Sequence, residues 1–151
     1  MTLSTAQIGR AGELLVQLRL LALGIESAPL TTDTGVDLVA YSPSRTEAVT
    51  IQVKTNLKPK PGGGKGKPAL DWWIAVANPA QYVALVDLST ESVWLLSQAE
   101  VAELAQQKSS GRYHFYMYTD ATVKLKAGKM ARIGEFDKYR IERRAEKVFG
   151  A

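Results

Sequence analysis

Between Ile8 and Ala22 apolar residues return every three or four positions, the period of a helix with a buried side. Thr5 stands in the N-cap place and Gly24 supplies a stop, so the pattern predicts a helix ending near Leu23. Ile8, Ala11, Leu15, Leu18 and Ala22 form one stripe. Gly9, Glu13, Val16 and Leu20 form a second on the opposite side, so the helix is expected to pack on two sides. Glu13 then sits on a partly apolar face, where an ionised carboxylate needs a metal ion or a basic side chain; the plainer reading is an ion pair at the rim.

The period then shortens. Ile25 to Leu30 is a short extended segment, followed by the polar turn Thr31-Thr32-Asp33-Thr34-Gly35. Val36 to Tyr41 and Ala48 to Thr55 are rich in β-branched residues and are joined by Ser42-Pro43-Ser44-Arg45, which predicts an antiparallel hairpin. Leu70 to Ala77 fits a helix or a strand. Tyr82 to Leu88 is an almost continuous apolar run, as in a strand buried on both faces, and Ser92 to Leu96 follows it after a turn. Ser97, with Glu100 three residues on, opens a helix expected to reach Lys108. Tyr113 to Tyr118 and Thr122 to Leu125 suggest a further hairpin. Asp137 to Phe149 suggests a last helix with Ile141, Ala145, Val148 and Phe149 on its apolar side and Arg140, Arg143, Arg144 and Lys147 opposite.

The chain has 151 residues, the size of one domain, and no apolar run long enough to span a membrane. It has no cysteine, and its first residues lack the basic-then-apolar order of a secretory signal, so a cytoplasmic location without membrane attachment is expected. The net charge of +4 is uneven: from Lys108 onward eleven bases face five acids. Such a surplus attracts a polyanion, although a solvated helix face reads the same way. Residues 57–68 add a glycine- and proline-rich loop with Lys58, Lys60, Lys65 and Lys67 and no acid. Gly66-Lys67 is followed by Pro68, which excludes a nucleotide-binding P-loop. The loop is expected to be flexible, either clamping a nucleic-acid backbone or making a plain surface excursion.

Alternation along a strand places Gln52 and Lys54 on one face, beside a carboxylate at Asp37. One carboxylate, one amide oxygen and one amine are a sparse but workable set for phosphodiester hydrolysis with Mg²⁺ or Mn²⁺, ions that take oxygen ligands and keep several waters. Glu13 would add a second carboxylate. Asp33 is a further candidate ligand, or more simply an Asx-turn residue. The lone histidine, His114, lies between aromatic residues in a strand pattern and reads as structural. Trp72 and Trp73 fit stacking on unpaired bases, a core or a dimer interface.

From Gly12-Glu13 through Gly35-Val36-Asp37 to Gln52-Val53-Lys54, the chain resembles the PD-(D/E)XK, or restriction-endonuclease-like, nuclease superfamily. The Gln-x-Lys form of the motif resembles that of Mrr-like endonucleases. The resemblance implies an α/β fold with an αβββαβ core, a mixed central sheet flanked by helices, and here an extra C-terminal hairpin and helix. It implies a metal-dependent DNA endonuclease or DNA-processing phosphodiesterase with Glu13, Asp37, Gln52 and Lys54 as catalytic residues and the first three as ligands. DNA contacts are expected from Lys65, Lys67, Arg140, Arg143, Arg144 and Lys147, and the protein is expected to be a homodimer. Gln52 in place of an acid keeps a second reading open, an inactive nuclease-like scaffold that binds nucleic acid or a protein. A third is a small interaction protein whose Asp37 and Lys54 form only a salt bridge.

Overall fold

The computed structural model describes residues 1–32, 34–125 and 128–150. Its first helix, α1 (Thr5–Ala22), is capped one residue earlier than expected, at Ser4. The Gln7 amide donates to Ser4 Oγ at 3.2 Å while the Ser4 amide donates to Gln7 Oε1 at 2.8 Å. This exchange satisfies two amides that a helix start leaves open, and a cap at Thr5 would have put apolar Ile8 in the reciprocal position. Gly12, Val16 and Leu20 are buried, whereas Leu18 is 61% exposed and Leu14 and Leu21 are also open to solvent. The helix therefore packs on one side and not on two.

Among the described residues nine strands follow in two sheets: β1 (Glu26–Pro29), β2 (Leu38–Tyr41), β3 (Val49–Asn56), β4 (Lys60–Pro61), β5 (Pro68–Ala75), β6 (Tyr82–Asp87), β7 (Ser92–Ser97), β8 (Gln107–Ser109) and β9 (Arg112–Tyr118). The first sheet has the order β1-β2-β3-β6-β7, with β3 and β6 parallel and every other pair antiparallel. The second has the order β4-β5-β9-β8 and is antiparallel throughout. Two further helices are α2 (Gln98–Leu104) and α3 (Ile141–Phe149).

The mixed sheet is the middle layer. Ala84, Val86, Val93 and Leu95 face α1 and α3, where they meet Val16, Leu20, Ile141, Ala145 and Phe149. The alternate residues Val83, Leu85, Trp94 and Leu96 face the second sheet and α2, meeting Leu70, Trp72, Ile74, Val101 and Phe115. Burial on both faces explains the unbroken apolar runs of β6 and β7.

The fold is α/β with a mixed sheet flanked by helices, and several expected details differ. The parallel crossover from β3 to β6 runs through β4 and β5 of the second sheet instead of a helix. The segment containing Trp72 and Trp73 is strand β5, with Leu70, Trp72 and Ile74 buried and Asp71, Trp73 and Ala75 exposed. The expected second helix stops at Leu104. Gln106 then accepts the Tyr116 amide N–H on Oε1 and donates through Nε2 to the Tyr116 carbonyl, so the chain joins β9 as β8. Ser110 and Gly111, both at positive φ, make the two-residue turn between them.

Thr122 to Leu125 forms no strand, because Asp120 Oδ1 takes both the amide and the hydroxyl of Thr122 in a tight turn. The last helix is divided: Ile133–Tyr139 is 3₁₀, Arg140 is extended at φ −55° and ψ 136°, and α3 begins at Ile141. The basic glycine-rich loop is a short turned hairpin, with the Gly62 amide on the Lys67 carbonyl and the Gly66 amide on the Gly62 carbonyl. Among the described residues no helix is long and apolar enough to cross a membrane.

Candidate active site

The β2–β3 hairpin builds the site. Leu38 pairs with Ile51, and Asp37 stands one residue outside β2 with its own amide donating to the Ile51 carbonyl at 2.9 Å. Gly35, at φ +83° and with Pro79 Cγ only 3.1 Å from where a Cβ would stand, supplies the bend that brings Asp37 there. The Val53 amide donates to Asp37 Oδ2 at 2.7 Å. The carboxylate is thus anchored on the backbone of the residue separating Gln52 from Lys54, and an ionised acceptor makes this a strong bond.

Pairing with β6 sets Gln52 opposite Val83 and Lys54 opposite Leu85, so both side chains lie on the face turned toward the second sheet. Gln52 Oε1 accepts from Asn78 Nδ2 at 2.6 Å, and Asn78 Oδ1 accepts the Ala80 amide at 2.9 Å. Asn78 was not foreseen; the only signal for it was the turn dipeptide Asn78-Pro79. Lys54 is half-buried. Asn56, next on the same face, donates to the Asp71 carbonyl of β5 at 2.7 Å.

The structure thus joins Asp37, Gln52 and Lys54. Glu13 is placed differently. Helix α1 covers the opposite face of β3, where the Cα of Gly12 lies against the Thr55 side chain, and the Glu13 carboxylate pairs with Arg10 at 2.8 Å. The partner that its partly apolar setting requires is a basic side chain of its own helix. Asp33 lies outside the described residues. Among those residues no group of three or more His, Cys, Asp or Glu could hold a metal ion.

Of the basic residues expected to meet a backbone, Lys65, Lys67, Arg143 and Lys147 are exposed. Arg140 is half-buried, donating to Ser92 Oγ at 2.8 Å with its guanidinium 5.2 Å from the Trp94 ring centre. Arg144 departs from expectation: it is 7% exposed, with Nη2 at 2.9 and 2.7 Å from the two Glu100 carboxylate oxygens. The same Glu100 caps α2 at the Ser97 amide, so this pair ties α3 to α2 and leaves Arg144 unavailable to phosphate. Replacing Arg144 with methionine is expected to lower stability by about 2 kcal/mol in urea unfolding, less than a fully buried pair because Glu100 keeps some solvent.

No protein-family model matches the chain, and no curated protein matches it in sequence. Its fold is nevertheless similar to a solved structure described as a bacterial homing endonuclease, I-Ssp6803I, with a TM-score of 0.60 and 14% identity. The likeness covers 99% of this chain and 94% of that one, so it extends over both sheets. At that identity it is a likeness of fold.

The donor chemistry at Asp37 and Gln52 suits a hard divalent cation. A carboxylate and an amide carbonyl both offer oxygen, and the carbonyl keeps a second lone pair after accepting from Asn78. The set is minimal, so water and substrate phosphate would complete the coordination shell.

Proposed function

We propose that the chain is a DNA endonuclease dependent on Mg²⁺ or Mn²⁺, of the PD-(D/E)XK type in its Gln-x-Lys form. The observation that supports it best is the Asp37 carboxylate anchored on the Val53 amide, between Gln52 and Lys54, in a fold shared with a homing endonuclease. Asp37 and Gln52 would hold the ion, which when bound lowers the pKa of a coordinated water and offsets phosphate charge. Val53 fixes the carboxylate and Asn78 fixes the amide, so neither donor has to be reoriented when substrate arrives. Lys54, two residues from Gln52 on the same face, orients the attacking water or stabilises charge on the phosphate.

Glu13 enters this reading last. It would serve as a second carboxylate only after parting from Arg10, and Glu13→Gln is expected to slow cleavage less than any change at Asp37. Lys65, Lys67, Arg143 and Lys147 are the proposed backbone contacts, each expected to reduce the salt dependence of DNA binding when replaced by alanine. A duplex presents two strands, and a homodimer would supply two centres; light scattering on the purified protein checks this.

The test is incubation with plasmid, single-stranded and branched DNA in Mg²⁺ and in Mn²⁺. Lys54→Ala is expected to cut about 10²–10³-fold more slowly than the parent while binding DNA as well. Equal rates would end the enzyme reading. One observation favours the alternative of a non-cutting scaffold: Gln52 is neutral and already held by Asn78, which leaves the centre with little negative charge for a cation. DNA binding without cleavage in either metal would establish that alternative.

A further inference from the structure

The outer face of the second sheet carries aromatic rings where solvent-facing strands ordinarily carry polar residues. Paired residues in this sheet point the same way, so Trp73 with His114, Asp71 with Tyr116 and Ala69 with Tyr118 occupy one face. The inner face, with Trp72, Ile74, Phe115 and Met117, already fills the core, so the outer rings are not needed there. Trp73 is 41% exposed, and its ring is stacked on His114 at 4.1 Å between centres and 2° between planes. His114 leads to Tyr116 at 5.3 Å and Tyr116 to Tyr118 at 5.6 Å. The result is a line of four rings.

Cations bracket that line. Lys60 of β4 pairs with Ala69 at the Tyr118 end, and Arg112 pairs with Ala75 at the Trp73 end. Asp71, the one acid among this sheet's strand residues, has its carboxylate 3.0 Å from His114 Nε2. Burial, and then the neighbouring Tyr118, push the Tyr116 phenol above its ordinary value. A hollow of about 300 Å³ is bordered by Lys60, Asp71, His114, Tyr116 and Tyr118. Strand β5, which carries Trp73, is tied to the strand of the candidate site, because Asn56, two residues after Lys54, donates to the Asp71 carbonyl.

We propose that this face is a stacking platform for unpaired nucleotides, so that the nucleic acid taken up by the chain has a single-stranded stretch. Rings offer their planes to planes. In a duplex the base planes are covered by neighbouring bases and only the edges are open, whereas an unpaired base can lie on a ring while Lys60 and Arg112 meet its phosphates. The choice of DNA over RNA rests on the function proposed above; the platform itself does not.

The test is binding in EDTA, where no cleavage occurs, of labelled oligo(dT), of an equally charged abasic strand, and of a duplex of the same length. Oligo(dT) is expected to bind at least about tenfold tighter than the abasic strand. Trp73→Ala and Tyr116→Ala are each expected to weaken oligo(dT) by about 5- to 100-fold and leave the abasic strand unaffected, while Trp73→Phe retains most of the affinity. Trp72 and Trp94 are buried, so quenching of tryptophan fluorescence by oligo(dT) should disappear in Trp73→Phe. Far-ultraviolet circular dichroism confirms that each variant is folded.

Equal affinity for oligo(dT) and the abasic strand, or unchanged affinity in folded Trp73→Ala and Tyr116→Ala, overturns the platform. So does a wild-type dimer that Trp73→Ala dissociates without altering oligo(dT) binding, since the face would then be a protein interface. Cleavage is scored separately. A protein that binds as expected but never cuts overturns the nuclease reading alone, and one that cuts but binds both strands equally overturns the platform alone.

Discussion

A Gly12→Ala protein is expected to be about 3 kcal/mol less stable than the parent. The added methyl would stand 2.9 Å from both Thr55 Cβ and Cγ2 and closer still to Thr55 Oγ1, all of them on a strand that cannot retreat because β2 and β6 hold it on either side. Helix α1 would have to lift from β3, uncovering the core around Val16, Leu20 and Ile51. The companion change makes the cause specific. Among the described residues Thr55 Oγ1 is buried without a hydrogen-bond partner, so Thr55→Ala alone should stay within about 1 kcal/mol of the parent. Combined with Gly12→Ala it should restore only part of the loss, because the Cβ of residue 55 stays 2.9 Å from the added methyl, and urea unfolding of the four proteins measures the coupling. A double variant as unstable as Gly12→Ala alone would show that the contact does not limit the packing of α1.

Asp37→Asn should have the largest effect on activity. The substitution preserves shape and keeps an oxygen that can accept the Val53 amide, so a loss of only about 1 kcal/mol of stability is expected as a charged acceptor becomes neutral. At the centre it removes the carboxylate anchored between Gln52 and Lys54, and with Gln52 already neutral the proposed ligand pair would carry no charge at all. Cleavage is expected to fall about 10³-fold. Mn²⁺ binding, followed by calorimetry or by quenching of water-proton relaxation, should weaken in parallel. Retained Mn²⁺ affinity in Asp37→Asn would place the metal elsewhere, whatever the cleavage rate.

Much of the scaffold was legible because its periods are clear. The β2–β3 hairpin announced itself through β-branched strands around Ser42 to Arg45, and β6 through an apolar run that only a doubly covered strand requires. The divided C-terminal helix was not, since nothing in Asp137 to Phe149 marks Arg140 as extended except the company it keeps with Trp94 and Ser92. Arg144 was within reach: positions 141, 144, 145 and 148 form one helical stripe, and the guanidinium on it needed a buried acid that Glu100 provides. The short β8 escaped because Gln107 to Ser109 has no apolar alternation, although Ser110-Gly111 is the dipeptide of a tight hairpin.

At the candidate site, spacing along β3 was enough to pair Gln52 with Lys54. It could not show that Asp37 leans on the Val53 amide, or that Asn78 reaches Gln52 across 26 residues, because both depend on how separate strands are brought into register. Glu13 shows the opposite limit. Helical spacing placed it on the correct helix, and Arg10, three residues earlier on the same turn, took the carboxylate.

The route from β3 to β6 through the second sheet also governs how the protein must fold. Strand β3 meets its parallel neighbour only by looping out the chain that forms β4 and β5, and β5 pairs with β9 about forty residues further along. Pairings that distant in sequence close slowly, which places folding nearer seconds than microseconds. The amides of Lys54 and of β9 should therefore both acquire protection from hydrogen exchange late in folding.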